Sequence, residues 1–331
     1  MERLAADVRA ELVARSGTPL RHGDLLRLGL EQHDVQRLLR KRALQRFHSR
    51  YVGGHVDPRQ TRIACTQAAH PGTVVSHFSA AELRGLRVWG TGTSGPVWLT
   101  RPPGTQRNLR NADVVLRRAG LPASELQHHR GLVLTSDART TVDLARELPL
   151  REAVVTVDDT LARAVSRAEL EAVMEGQERW PSIRAARAAV ALGDPRSESA
   201  LESFARVVFL EAGLPVPVLQ AQFWDGYRWM VERVDFWSPE FRTVAEADGL
   251  QKFEAPTAQE RRRLLRRSYE RDQRLTDHGL ELIHFGWEDA VRRPQQLVRR
   301  LRSAFHRGIQ RAGDPPGWRV APVLQPTLCT A

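Results

Sequence analysis

The sequence predicts a mixed α/β chain, in an α+β arrangement of two or three domains, and three observations predict it. The chain has 331 residues, more than one ordinary core accommodates. Its first 55 residues run helix, short turn, helix, hairpin, and its stretch 196–308 runs helix, three strands, helix, strand, helix. A hydrophobic fraction of 41% is enough to give each part a buried core.

The N-terminal part opens with Leu4, Val8, Leu12 and Val13 at helical spacing. A short helix then starts at His22 and ends near Gly29. A second covers 31–41, with Val35, Leu38 and Leu39 on its apolar face. Residues 44–52 alternate loosely and stop at Gly53-Gly54. That succession is the pattern of a winged helix-turn-helix.

The middle part, 56–192, is a mixed α/β region. Residues 74–81 read as a strand end leading into a helix, and 97–100 and 114–116 read as strands. Pro102-Pro103-Gly104 is a loop. Thr135-Ser136-Asp137 caps a helix that runs to Leu148. Helical patterns continue from Arg151 to Ala191, broken at Trp180-Pro181. His77, between Ser76 and Ser79, reads as a helix cap or a satisfied structural group rather than a catalytic base.

Gly193-Asp194-Pro195 marks the next boundary. A helix over 198–212 is closed by Gly213 and Pro215. Strands are expected at 216–224, 229–236 and 241–248, with turns at Asp225-Gly226 and Pro239. An arginine-rich helix spans 259–278, a fourth strand 280–285 and a last helix 294–305. Residues 309–331, with four prolines, are expected to be a mobile tail.

Four acids stand at telling places in this last domain. Glu202 lies on the first helix and Asp235 near the end of the second strand. Glu246 and Asp248 are two apart on the third strand, so both point to one face of the sheet. Asp235 should sit opposite the Glu246 region. Grouped carboxylates repel one another and resist burial, and a divalent cation relieves both penalties. Mg²⁺, or Mn²⁺ in its place, suits carboxylate oxygens and would leave room for a phosphate and a water, which is the chemistry of phosphodiester hydrolysis. Lys252 could then polarise the phosphate or the water, and Arg271 could hold a neighbouring phosphate. The ordinary alternative stays open: Glu198, Glu202 and Arg206, four apart, could form a surface ion-pair ladder, and Asp248-Gly249 a plain turn.

Lys plus Arg number 50 against 39 Asp plus Glu, giving a net charge of +11 and a pI near 10.9. Such a chain attracts polyanions, although arginine-rich composition also follows from GC-rich coding. Cys65 and Cys329 are far apart and have no zinc spacing. No signal peptide and no membrane span are expected, so a cytoplasmic protein follows.

Three segments of the last domain, 199–203, 234–236 and 244–253, resemble a bacterial endonuclease family related to very-short-patch repair enzymes of the PD-(D/E)XK superfamily. Residues 271–275 and 279–283 and Trp287 fit its later helix, strand and aromatic. The resemblance implies a restriction-endonuclease-like fold with Asp235 and Glu246 as metal ligands. Glu202 would be the helix acid reaching the metal. Asp248 stands where many members place lysine, so Lys252 supplies the positive charge from a shifted position, or the site works without it, or it is inactive.

Residues 20–30 and 46–52 resemble the winged-helix domain of AbiEi-type antitoxins, and 76–81 and 138–144 match short motifs that follow it in similar proteins. This resemblance implies binding to double-stranded DNA, often at a promoter. Residues 32–42 would be the recognition helix. Arg37, Arg40, Lys41 and Arg42 would contact phosphate or groove, with Arg46, His48 and Arg50 in the wing. The first functional expectation is therefore a Mg²⁺-dependent DNA endonuclease with a DNA-binding module. The alternative is an antitoxin-like transcriptional regulator whose nuclease-like domain is inactive. A third possibility is service in a defence system, with a toxin or another defence protein as partner.

Overall fold

The computed structural model describes residues 8, 11, 12, 14, 15, 17–47, 49–53, 57–90, 95–104, 108–248 and 257–322. The chain packs as two units: 1–148 with 165–187, and 149–164 with 188–331. Several mixed sheets flanked by helices make it a mixed α/β protein. Among the described residues no helix is long and apolar enough to cross a membrane.

The first unit begins with a small three-stranded sheet and two helices. Strands β1 (Leu20–Arg21), β2 (Leu44–Phe47) and β3 (Arg50–Gly53) pair in the order β1-β3-β2, all antiparallel. Helices α1 (His22–Arg27) and α2 (Gln32–Arg40) each start where an acid three residues on reaches back. Asp24 accepts from the Arg21 N–H at 2.7 Å and Asp34 from the Glu31 N–H at 3.1 Å, satisfying an N–H at each helix start. Leu25, Leu30, Val35, Leu38, Leu44 and Tyr51 form the core, with Val8 and Leu12 packed against it.

The rest of this unit is built on a six-stranded mixed sheet. Its strands are β4 (Val74–Val75), β5 (Val97–Arg101), β6 (Leu109–Arg110), β7 (Val114–Arg118), β8 (Leu126–His129) and β9 (Leu132–Thr135), in the order β6-β7-β5-β4-β9-β8. The β5–β7 and β4–β9 pairs are parallel. Helices α3 (Pro58–Ala69), α4 (His77–Arg84), α5 (Asp137–Glu147) and, further on, α7 (Arg167–Glu175) belong to it. The β8–β9 hairpin was not expected from the sequence. It turns on Arg130 and Gly131, both with positive φ (49° and 79°), as a two-residue hairpin turn requires. Ile63, Val75, Val97, Leu99, Val114, Leu116 and Leu134 fill the core beneath.

The second unit takes in α6 (Leu150–Ala162) together with α9 (Ala200–Glu211). Helix α8 (Ile183–Leu192) divides between the units. Arg206 of α9 grips Asp158 of α6 with bonds of 2.8 and 2.9 Å, and both are buried. Glu198 instead pairs with Arg233 at 2.7 Å, so the ion-pair ladder suggested by the spacing of Glu198, Glu202 and Arg206 does not form. Strands β10 (Val218–Phe223), β11 (Val234–Ser238), β12 (Thr243–Ala247), β13 (Glu281–Phe285) and β14 (Trp318–Val320) form a sheet in the order β13-β12-β11-β10-β14. Only β12–β13 is parallel, with the long helix α10 (Ala258–Asp277) as its crossover. Helix α11 (Pro294–Ile309) follows β13. Gly308 lets it approach so closely that a Cβ there would lie 1.9 Å from the Phe241 carbonyl oxygen.

The helix–strand–strand–strand–helix–strand–helix order matches the sequence expectation, with two differences. Strand β11 starts at Val234 rather than 229, because Trp229 forms only an isolated bridge to Trp224. Residues 318–320, inside the stretch read as a tail, pair antiparallel with β10.

Candidate functional site

Continuing the β10–β11 and β11–β12 registers places Gln220 across from Asp235 and Asp235 across from Glu246. Glu246 in turn pairs with His284 of β13. A polar row thus crosses four strands, and α9 lays Glu202 against its end. The Glu202 carboxylate accepts from Gln220 Nε2 at 3.2 Å and from the Glu198 N–H at 2.9 Å. Burial pushes its carboxyl up to about 7, and the charge of Asp235 adds to the shift.

The remaining acids of the row are held by donors. Asp235 Oδ2 accepts from the Ala247 N–H at 2.8 Å. Glu246, buried, is bound by Arg271 Nη2 at 2.7 Å, and the same nitrogen reaches the Arg233 carbonyl at 2.7 Å. Burial disfavours charge on Arg271, but Glu246, Asp235 and Asp272 outweigh it and raise its pKa. Asp248 Oδ2 meets His284 Nδ1 at 2.8 Å. The other ring nitrogen lies 3.0 Å from Asp272 Oδ2, an ion-pair distance not aligned for a hydrogen bond. His284 is raised above its ordinary range, first by the Asp248 hydrogen bond and further by Asp272 and Glu246. A cavity of about 470 Å³ opens beside this row, lined by Asp248, Arg267, Arg271 and Arg274 among others.

The structure therefore brings Asp235 and Glu246 side by side, with Glu202 and Asp248 at either end of the row. Arg271, expected to hold a DNA phosphate, binds Glu246 and also lines the cavity. Lys252 lies outside the described residues. The sequence reading missed Gln220 and His284. Their signal was the alternation of the flanking strands, which puts each on the polar face. Among the described residues no three His, Cys, Asp or Glu side chains come together as a group able to hold a metal ion. With Glu246 bound to a guanidinium, the donor set does not fit Mg²⁺ or Mn²⁺ in this arrangement.

On the N-terminal unit, Arg40, Lys41 and Arg42 are exposed at the end of α2 and just beyond it, and Arg46 is exposed on β2. The Arg46 guanidinium lies 5.7 Å from the centre of the Tyr51 ring. Two other residues of the expected DNA face have partners within the fold. Arg37 binds Asp34 at 2.5 Å, and Arg50, half-buried, donates to the Ala68 carbonyl at 3.0 Å. His48 lies outside the described residues.

Comparisons with known proteins address a different part of the chain. The family model of the AbiEi antitoxin C-terminal domain matches residues 56–189. That match includes the 76–81 and 138–144 motifs and lies over the middle part rather than the first 55 residues. Two Mycobacterium tuberculosis relatives, "Uncharacterized protein MT2308" of strain CDC 1551 / Oshkosh and "Uncharacterized protein Rv2248" of strain ATCC 25618 / H37Rv, are each 31% identical over 200 residues, 60% of this chain and 70% of theirs. The crystal structure of the RV2827C protein from Mycobacterium tuberculosis is 18% identical, covers 64% of this chain and 82% of that one, and superposes with a TM-score of 0.37. A likeness at that score carries no argument about function.

Proposed function

The chain belongs to the same family as the two mycobacterial relatives, and from that premise we propose that it is a DNA-binding regulator of the antitoxin type. In this reading 1–55 is a winged helix that grips duplex promoter DNA, 56–192 is the AbiEi-type domain, and 196–308 is a PD-(D/E)XK-like domain that does not cut. The observation that carries it is the antitoxin-domain match over 56–189. The exposed Arg40, Lys41, Arg42 and Arg46 give the N-terminal unit a cationic face, as contact with a phosphate backbone needs. A toxin or another defence-system protein is the second partner this reading implies, in the cytoplasm. The test is an electrophoretic shift with a duplex fragment from upstream of the chain's own gene against an unrelated fragment of equal length. Preferential retention of the upstream fragment supports the reading, and failure to retard either contradicts it.

One observation favours a second reading, metal-dependent hydrolysis of DNA: Asp235 stands beside Glu246 and its charge is felt by Glu202. For that chemistry Arg271 must first release Glu246. Plasmid incubated with the full chain and Mg²⁺ or Mn²⁺ decides. Cutting that is lost in Asp235→Ala supports the hydrolase, and intact plasmid under both metals supports the regulator.

A further inference from the structure

The middle part of the first unit holds a polar site that neither reading uses. At the start of α4 the chain passes through Ser76 into His77, which is buried and has a φ of 50°. A histidine held in the left-handed region is strained, and such strain persists only where its surroundings impose it. The Ser76 hydroxyl does not cap the helix. It accepts from Thr100 Oγ1 at 2.7 Å and lies 2.9 Å from His77 Nδ1. The Ser76–Nδ1 contact suits either ring tautomer, because the hydroxyl has a second lone pair as well as a proton to give. Burial lowers the His77 pKa more than Asp143 and Glu147 raise it, so the ring is neutral.

His77, Arg117, Arg118, Asp143, Arg146 and Glu147 line a cavity of about 540 Å³. Its carboxylates are already committed. Glu147 is held by Arg117 at 2.6 Å. Asp143 is held by Arg139 at 2.7 Å and by Arg146 at 3.3 Å. Arg139 is buried behind Asp143 and also binds Glu125 and the Gly120 carbonyl. The Trp180 ring fixes both guanidinium groups, each centred 5.0 Å from it. Even so, the Nε atom of Arg117, a lining residue, is buried with no hydrogen-bond partner among the described residues. A leftover donor beside a cavity whose lining arginines outnumber its carboxylates suits an acceptor-rich, negatively charged guest.

We propose that this cavity binds a phosphate monoester, its oxygens taken by Arg117, Arg118 and Arg146, with the His77 ring as a further polar contact. The volume suits a molecule of cofactor size. The proposal stands apart from DNA binding by the N-terminal unit. It is tested by thermal unfolding and calorimetric titration of the full chain with inorganic phosphate, ribose 5-phosphate and adenosine 5′-monophosphate, against sodium chloride at equal ionic strength. A monoester is expected to raise Tm by about 3 °C or more at saturation. His77→Asn, which tolerates the left-handed backbone, and Arg118→Gln, exposed at the rim, are each expected to remove most of that rise. The triple variant Arg40→Ala/Lys41→Ala/Arg42→Ala should keep it. A larger response to the monoesters than to inorganic phosphate identifies a group beyond the phosphate as part of the ligand, and equal responses identify free phosphate. No shift with any probe, a shift unchanged in both cavity variants, or a shift lost in the triple variant overturns the proposal.

Discussion

The two buried polar clusters of this chain are opposites. Around His77 in the first unit, arginines outnumber carboxylates, and N–H groups are left over. Along the Gln220–Asp235–Glu246–His284 row in the second unit, carboxylates predominate, and one guanidinium with one imidazole meets them. The same residue types thus leave N–H groups over in one place and gather more carboxylates than cations in the other. A cluster's balance, more than its composition, decides whether it invites an anion, invites a cation, or closes on itself.

The largest effect expected from breaking this comparison is in the first unit. Arg139→Met leaves Asp143 and Glu125 without their shared buried cation and should destabilise the chain by about 3–5 kcal/mol, read from denaturant unfolding. If the cluster were a surface-like ion pair, the loss would stay under about 1 kcal/mol.

Next in size is a pH dependence of the second unit. The unfolded chain releases the Glu202 proton in the ordinary carboxylate range, whereas the native state holds it to about 7. The native state binds more protons between these values, so stability falls as pH rises through that window, by up to about 3 kcal/mol. His284, raised by its pairing with Asp248, acts in the same direction: its contribution is complete below its unfolded pKa and lost as pH rises through the folded one. Urea midpoints measured on either side of the window should show the drop, and Glu202→Gln should flatten most of it.

Arg271→Met comes third. It strands the buried Glu246 carboxylate and should cost about 2 kcal/mol, less than a fully buried pair because Arg271 is part-exposed. Adding Glu246→Gln in the same chain should recover part of the loss, a coupling that a double-mutant cycle measures. Smallest is Arg37→Ala, whose part-buried pair with Asp34 joins neighbouring turns of a single helix and should change stability by no more than about 0.5 kcal/mol.

Much of the second unit was legible in the sequence, because Asp225-Gly226, Pro239 and Gly279 punctuate strands and helices whose periods differ. The acids could be placed on one sheet face from spacing alone. What spacing could not give was the destination of long side chains. Arg271 and Arg50 read as solvent-facing cations, and each folds inward onto an acceptor supplied by a distant segment. The β8–β9 hairpin escaped because Gln127, His128 and His129 lack apolar alternation and the turn uses Arg130 in an unfavoured conformation. The assignment of α6 to the second unit was equally hidden, since its partner Arg206 is 48 residues from Asp158.

The reading of the N-terminal unit as a DNA-binding surface is tested most directly by the salt dependence of duplex binding. Affinities of the wild-type chain and of Arg40→Ala/Lys41→Ala/Arg42→Ala are measured by fluorescence anisotropy across a series of salt concentrations. The expected result is a steep linear fall of log affinity with log salt in the wild type. In the variant the slope should be shallower by about 3, roughly one unit for each phosphate contact removed. Identical slopes for the two proteins would contradict the assignment of that surface to DNA.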